Sequence, residues 1–379
     1  MAQQTKVGMV KQKVKAWITE GKVLPGEKIY SENELVKMFE VSRHTVRQAV
    51  GDLVHEGWLY REQGAGTFVS TKSSQTQVQP VSSKGKNIGV ITTYISDYIF
   101  PSIIKGIESY LSAHGYSLTL ACTDNDPEKE KQCLEAMINR DIDGLIVEPT
   151  RSSNYNPNLH YYLEMEQNNT QYLMINQFYP QLNPPNIIVN DEKGGFIATE
   201  HLIKLGHKKV VGLFKSDDLQ GLNRMQGFIR AFREYDTPFF PEMIITYTTE
   251  EKEVTLLQRL KDVLISEQKR PTGIVCYNDE IAINVLNLLR ELEIKVPDDI
   301  SIVGYDDSYL TEASEIKITS VTHPKMEMGI EAAKWIVAAV ENSAKDTGEK
   351  RQKVYEPELV IRNSTSAVSK MHNSNKHLI

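Results

Sequence analysis

Strands and helices alternate from Asn87 to Tyr305, and this alternation constrains the fold more than any other feature. The apolar runs Asn87–Thr93, Ser117–Cys122, Gly144–Val147, Tyr172–Ile175, Ile187–Val189, Lys209–Phe214, Met243–Tyr247, Gly273–Tyr277 and Ser301–Tyr305 read as strands. Helical spacing of Ile103, Ile104, Ile107 and Leu111 marks a helix ending near Gly115, and Asp126-Pro127 opens another through Ile138. Glu192–Leu205, Gly221–Glu234, Lys252–Glu267 and Glu280–Leu292 continue the pattern. Such alternation makes parallel sheets with helices on both faces. The strands are too many for one small sheet, so the fold class is α/β with two lobes and a cleft.

In open α/β sheets ligands bind beyond the carboxyl ends of the strands. Polar residues stand there: Ser96 and Asp97, Glu148, Asn176 with Gln177, Asn190 with Asp191, Ser216 to Asp218, Asn278 with Asp279, and Asp306 with Asp307. Tyr94, Tyr98, Phe100, Phe178 and Tyr305 are interleaved. Carboxylates and amides that bond vicinal hydroxyls, beside flat apolar rings, suit a sugar or similar polar small molecule. Asp191 and Asp279 are read first as helix N-caps and only second as contacts.

The chain before Asn87 is different. Residues 1–86 carry thirteen Lys+Arg against eight Asp+Glu, while the remainder carries thirty against forty-two, for a net charge of −7. A small basic block on a large acidic one suggests that only the first meets a polyanion. Residues 71–86 are polar, of linker composition, with a reach of roughly 20–25 Å as a coil. Residues 366–379 are read as a disordered tail.

Within the basic block, Val7, Val10, Val14, Trp17 and Ile18 define a first helix, and Gly21 and Pro25-Gly26 end it. Ser31-Glu32-Asn33-Glu34 is a capping box opening a second helix. Ser42 caps a third, whose Val46, Ala49, Val50, Leu53 and Val54 form one apolar face and whose Arg43, His44, Arg47 and Gln48 point the other way. Helix, turn and capped helix with a basic outer face make a helix-turn-helix, although a solvated helix face would carry the same residues. In the major groove Arg bonds guanine and Gln bonds adenine. Trp58–Arg61 and Thr67–Val69 flank a glycine-rich turn, a hairpin wing; no helix follows the glycines, so a nucleotide-binding reading fails.

Residues 24–69 strongly resemble the GntR-type winged helix-turn-helix in the elements VSRHTVRQA, LVHEGWL and GAGTFV. The resemblance implies that Ser42, Arg43, Thr45 and Arg47 contact double-stranded operator DNA, that Glu32 sits near the groove, and that Gly64 and Gly66 form the wing tip. Ile29-Tyr30-Ser31 departs from the usual Leu-Pro-Ser. Residues 87–364 resemble the LacI/GalR-type sensor domain, related to periplasmic sugar-binding proteins, in DGLIVEP, TEHLIKLGHKKVVGLF, GIVCYNDEIA and VPDDISIVGYDD. That resemblance implies a pocket bordered by Ser96, Asp97 and Phe100, with Glu148, Asn176, Asn278 and Asp306 at strand ends and Arg224, in an Arg-x-x-Gly element with Gly227, as an anchor. Tyr98 stands in place of a usual Pro. His323 replaces a usual Gln, either for ligand choice or to hold the lobe crossover. The pairing is similar to that of Bacillus-type arabinose repressors, which, with the Tyr247–Lys252 stretch YTTEEK, implies L-arabinose as effector.

The expectation is therefore a ligand-controlled repressor with no cofactor and no metal, acting on two-fold operators as a homodimer. The pairing surface is placed around Ile103–Leu111 and Lys325–Val340. One alternative is a repressor or activator responding to another sugar or small polar ligand. A more remote one is an enzyme acting on a sugar or phosphate, with Gly304-Tyr305-Asp306-Asp307 as a Mg²⁺ site; it lacks a P-loop, a G-x-S-x-G element and a metal-spaced His pair. With Cys122, Cys133 and Cys276 in no metal or redox spacing, no apolar core in the first residues and no apolar run long enough to span a bilayer, a reduced cytoplasmic protein without membrane contact is expected.

Overall fold

The computed structural model describes residues 6–24, 26–55, 58–62, 66–69, 86–95, 98–266, 268–341 and 352–368. Gly64, Ser96, Asp97, nearly all of the expected linker and the end of the tail lie outside these residues. The chain divides into two compact units, Met1–Lys84 and Gly85–Ile379.

The first unit holds helices α1 (Lys6–Thr19), α2 (Glu32–Phe39) and α3 (Arg43–His55) and an antiparallel hairpin of β1 (Leu59–Glu62) and β2 (Gly66–Val69). Val10 and Val14 of α1, Leu35 of α2 and Val46, Ala49, Val50 and Leu53 of α3 are buried in one core, as their spacing requires. The Ser31 hydroxyl accepts from the Glu34 amide at 3.3 Å, and the Glu34 carboxylate accepts from the Ser31 amide at 2.8 Å. This reciprocal pair fixes the start of α2. Tyr30, which replaces the usual proline of that turn, lays its ring edge-on against Trp17 at 5.5 Å, and Trp17 stacks on Phe39.

The second unit has two lobes. The first is built from β3 (Asn87–Thr92), α4 (Phe100–Ala113), β4 (Ser117–Cys122), α5 (Pro127–Asn139), β5 (Gly144–Val147), α6 (Leu159–Gln167), β6 (Gln171–Asn176) and β7 (Asn186–Val189). The chain then crosses to α7 (Asp191–Lys204), β8 (Val210–Lys215), α8 (Leu219–Glu234), β9 (Ile244–Tyr247), α9 (Thr255–Ile265), β10 (Gly273–Cys276), α10 (Asp279–Glu291), β11 (Ser301–Asp306), α11 (Leu310–Ala313) and β12 (Thr319–Thr322). It returns for α12 (Lys325–Glu341) and β13 (Gln352–Tyr355), and crosses a third time to β14 (Leu359–Val360). The sheet orders are β13-β7-β6-β5-β3-β4 and β14-β12-β11-β10-β8-β9, parallel except for β14. All three crossings fall at the β7/β13 and β12/β14 edge.

Ile103, Ile107 and Leu111 of α4 and Met328, Ala332, Ala333, Ile336 and Val337 of α12 are buried together in the first lobe's core, which leaves the outer faces of these two helices for the expected pairing surface. One expectation is corrected. Ser366 to Val368 are pinned rather than loose: the Ser366 amide donates to Ser301 Oγ at 3.0 Å and the Val368 amide to the Leu205 carbonyl at 3.1 Å. The strands after Tyr305 escaped the pattern because they are short. β12 is four residues, three of them buried, without alternation, and β14 is two.

Candidate functional site

In the first unit, Ser42 Oγ accepts from the Thr45 amide at 3.2 Å and bonds Thr45 Oγ1 at 2.8 Å, so two expected DNA-contacting residues also set the start of α3. One turn of helix brings Arg43 and Arg47 to the same side. Both are about two-thirds exposed, at 63% and 61%, and both reach Glu32, Arg47 at 3.2 Å and Arg43 at 3.6 Å. The hydrogen bond from Arg47 holds the Glu32 carboxyl below its usual range, with Arg43 and Arg61 adding attraction. His44 and Gln48 are exposed beside them. At the wing, Gly66 has φ +131°, and a Cβ there would lie 2.4 Å from Lys28 Cε. This backbone suits glycine. Ser42, Arg43, His44, Arg47 and Gln48 are thus exposed in the first half of α3 and its cap, with Glu32 and Thr45 half-buried.

In the second unit the strand ends converge on one cavity of about 130 Å³ between the lobes. Tyr94, Tyr98, Phe100, Glu148, Arg224, Asn278 and Asp306 line it together. Tyr94 and Phe100 meet edge-on at 5.6 Å and form an apolar wall. Glu148 is buried opposite, accepting from the Thr93 amide at 3.0 Å, Thr93 Oγ1 at 2.5 Å and Asn176 Nδ2 at 2.8 Å. Burial pushes its carboxyl up, and these hydrogen bonds hold it down.

Arg224 owes its place to a helix crossing. A Cβ on Gly227 would lie 1.9 Å from the Glu192 carbonyl oxygen, so only glycine lets α7 and α8 approach this closely. The crossing sets Arg224 Nε 2.8 Å from Asp191 and Nη1 2.7 Å from the Tyr277 carbonyl, with the guanidinium 3.6 Å over the Tyr305 ring. Asp306, at φ +91°, faces Arg224 Nη2 at 3.6 Å and accepts from Tyr98 Oη at 2.7 Å. Asp306 Oδ1 is buried with no hydrogen-bond partner among the described residues.

Other expected positions move. Asn176 and His323 do not line the cavity: His323 Nε2 meets Asn176 Oδ1 at 3.0 Å behind Glu148, at the second lobe crossing. The helix caps are Asn190 and Asn278, not the aspartates that follow them. Asp191 is the Arg224 partner. Asp279 accepts from the Ser308 amide at 2.7 Å and Ser320 Oγ at 2.6 Å. Without a cation, burial pushes Asp279 up to about 7, and Asp306 adds repulsion.

Asp218, expected from its strand end, lines the cavity, and so do residues with no such expectation, among them Asn125, Lys215, Gln220, Tyr247, Thr249, Lys252, Tyr277 and Glu280. Lys215 ends an otherwise apolar strand, which is the one local signal for it. Its amine lies 2.9 Å from Asp217 and 3.1 Å from Asp218, and Lys252 lies 2.7 Å from Glu280. Every cation of the cavity wall is therefore paired within the protein. Among the described residues no helix is long and apolar enough to cross a membrane, and no group of His, Cys, Asp and Glu could hold a metal ion.

Comparison with known proteins agrees with this division. Residues 6–69 match the family model of bacterial regulatory proteins, gntR family, and residues 199–365 match a periplasmic binding protein-like domain. An arabinose metabolism transcriptional repressor from Halalkalibacterium halodurans is 52% identical over 96% of this chain and 97% of its own. One from Geobacillus stearothermophilus is 46% identical over 95% and 97%. A crystal structure of a LacI family transcriptional regulator from Enterococcus faecium with bound ribose superimposes with a TM-score of 0.64 at 24% identity, covering 75% of this chain and 100% of that one.

Proposed function

This chain belongs to the arabinose metabolism transcriptional repressors, and from that premise we propose that L-arabinose bound in the cleft releases it from operator DNA. The observation that carries this reading is the cavity's combination of an apolar ring wall, paired charges and unspent acceptors. The cavity is about 130 Å³, of the order of the dry cavity of about 150 Å³ that takes benzene, so its scale is that of a single small molecule. Since Lys215, Lys252 and Arg224 are already neutralised by Asp217, Asp218, Glu280 and Asp191, a phosphorylated sugar finds no unmatched cation. A neutral pentose finds acceptors at Glu148 and Asp306 and flat carbon at Phe100 and Tyr94.

In this reading Arg43, Arg47, His44 and Gln48 read base edges, while Ser42, Thr45 and the wing at Gly64 and Gly66 position the backbone. Glu148, Arg224, Asn278 and Asp306 hold the sugar's hydroxyls, directly or through their neighbours, with Tyr98 beside Asp306 and Ser96 and Asp97 as further contacts. The repressor works in the cytoplasm as a homodimer on two-fold sites, without cofactor or turnover. For release to be effective, the sugar must bind the DNA-incompetent state more tightly by a few kcal/mol.

The test is fluorescence anisotropy of the protein on labelled DNA from its own upstream region, titrated at fixed salt with L-arabinose, D-galactose, D-xylose and ribose. Release by L-arabinose alone is the expected result. Tight binding that no sugar reverses would retain the DNA reader and reject the effector.

A further inference from the structure

The Tyr247–Lys252 stretch lies at the cleft edge opposite the three chain crossings, at the end of β9, the outermost strand of its sheet. Facing it from the other lobe are the loops after β4 and β5. Between them the lobes are tied directly. Asn125 Nδ2 donates to Thr249 Oγ1 at 2.6 Å, Ser153 Oγ to the Ser216 carbonyl at 2.8 Å, and the Leu219 amide to Ser152 Oγ at 2.9 Å. The Arg151 guanidinium meets the Glu250 carboxylate.

Arg151 is built for this contact. Its backbone is left-handed, φ +45°, a conformation uncommon for a non-glycine residue. Asn125 holds it there: the Arg151 amide donates to Asn125 Oδ1 and Arg151 Nε to the Asn125 carbonyl, each at 3.0 Å. The loop behind is fixed by the Thr150 amide on Tyr179 Oη at 2.8 Å and by Tyr179 on the buried Glu130 at 2.7 Å. Neither Arg151 nor Glu250 lines the cavity.

We propose that Arg151 and Glu250 form an electrostatic latch that holds the lobes closed over the effector, making them positioning residues for sugar sensing that touch no sugar. The proposal rests on the cleft being the effector site. Its signature is a salt-dependent affinity for a neutral ligand. A sugar without charge has no electrostatic reason to bind more weakly in salt, but closing a partly exposed ion pair is screened as the Debye length falls from about 10 Å at 0.1 M to about 3 Å at 1 M.

The experiment is calorimetric titration of the full chain, free of DNA, with L-arabinose at low and high salt. Arg151→Gln or Glu250→Gln should raise Kd about 2–5-fold at low salt and flatten its salt dependence, with DNA affinity in the absence of sugar unchanged. Arg151→Glu should weaken binding further, and adding Glu250→Arg should recover most of that loss. Unaltered Kd in the single variants, or no recovery in the reversed pair, overturns the latch. If the wild type fails to bind L-arabinose, the function proposed above falls, and the latch is decided by hydrogen exchange in the sugar-free chain. Peptides spanning Ser216–Leu219 should exchange faster in Arg151→Gln, and unchanged rates would overturn it.

Discussion

The first unit and the second use the same side chain in opposite ways. Arg43 and Arg47 are 63% and 61% exposed and share the single carboxylate of Glu32. Arg224 is 2% exposed, bonded to Asp191 and the Tyr277 carbonyl and roofed by Tyr305. An exposed ion pair is worth about 0–1 kcal/mol, so its arginines can be handed to another anion at little cost. A buried arginine cannot leave, because its partners would be stranded as uncompensated charges. Positive charge in the first unit is thus available to a polyanion, while in the second it organises a cavity whose own cations are all paired.

The largest test of this contrast is Arg224→Met. Stranding Asp191 beside Asp306 should cost the second unit about 3–5 kcal/mol, read as an earlier urea transition. Two units need not unfold together, so the transition should be followed through Trp335, with Trp17 and Trp58 reporting the first unit unchanged. A small shift at Trp335 would show that the arginine is as replaceable as its exposed counterparts.

His323 sharpens the contrast by pH. Burial, only partly offset by attraction to Asp306 and reinforced by repulsion from Lys325 and Arg224, pushes its imidazole down to about 4. A lowered folded pKa means that the unfolded chain binds the extra proton first. Stability from this group is therefore complete above pH 6.5 and is lost as pH falls toward 4. Relative to His323→Gln, the wild type should lose at most about 1.4 kcal/mol per pH unit across that window. A difference between the two that stays flat with pH would mean that His323 is not held neutral.

How much of this was legible depended on range. The capping box at Ser31 and the apolar stripe of α3 are local patterns, and the structure places both where they were read. The strand ends that build the cavity were also legible, since each is a polar residue after an apolar run. What escaped was tertiary. Nothing beside Asp191 in the sequence shows that α8 will bring Arg224 against it; that follows from the α7–α8 crossing at Gly227. Asn176 looked like other strand-end amides, yet His323, 147 residues away, turns it from the cavity toward the crossing. Ile103, Ile107 and Leu111 were legible as one apolar helix face, but not what covers it: α12, which buries them, comes more than 200 residues later.

The exposed side of the comparison is tested by Arg47→Ala. Losing one base-reading arginine should weaken operator binding by about 1–3 kcal/mol, measured by anisotropy. Stability should stay within about 0.5 kcal/mol, as for other surface changes. Unchanged operator affinity would remove α3 from the groove.

The smallest effect is expected at Glu32, where the carboxylate both aims Arg47 and repels phosphate. Glu32→Gln keeps an acceptor for Arg47 but removes the charge. Binding to non-specific DNA, which depends on net charge near the backbone, should tighten. Operator binding should gain less, because Arg47 and Arg43 lose the partner that orients them before contact. The ratio of operator to non-specific affinity should therefore fall, by less than about 1 kcal/mol for an exposed pair. If the ratio rises instead, Glu32 is only a competitor that DNA must displace, and the free protein's ion pairs are an obstacle to recognition rather than a preparation for it.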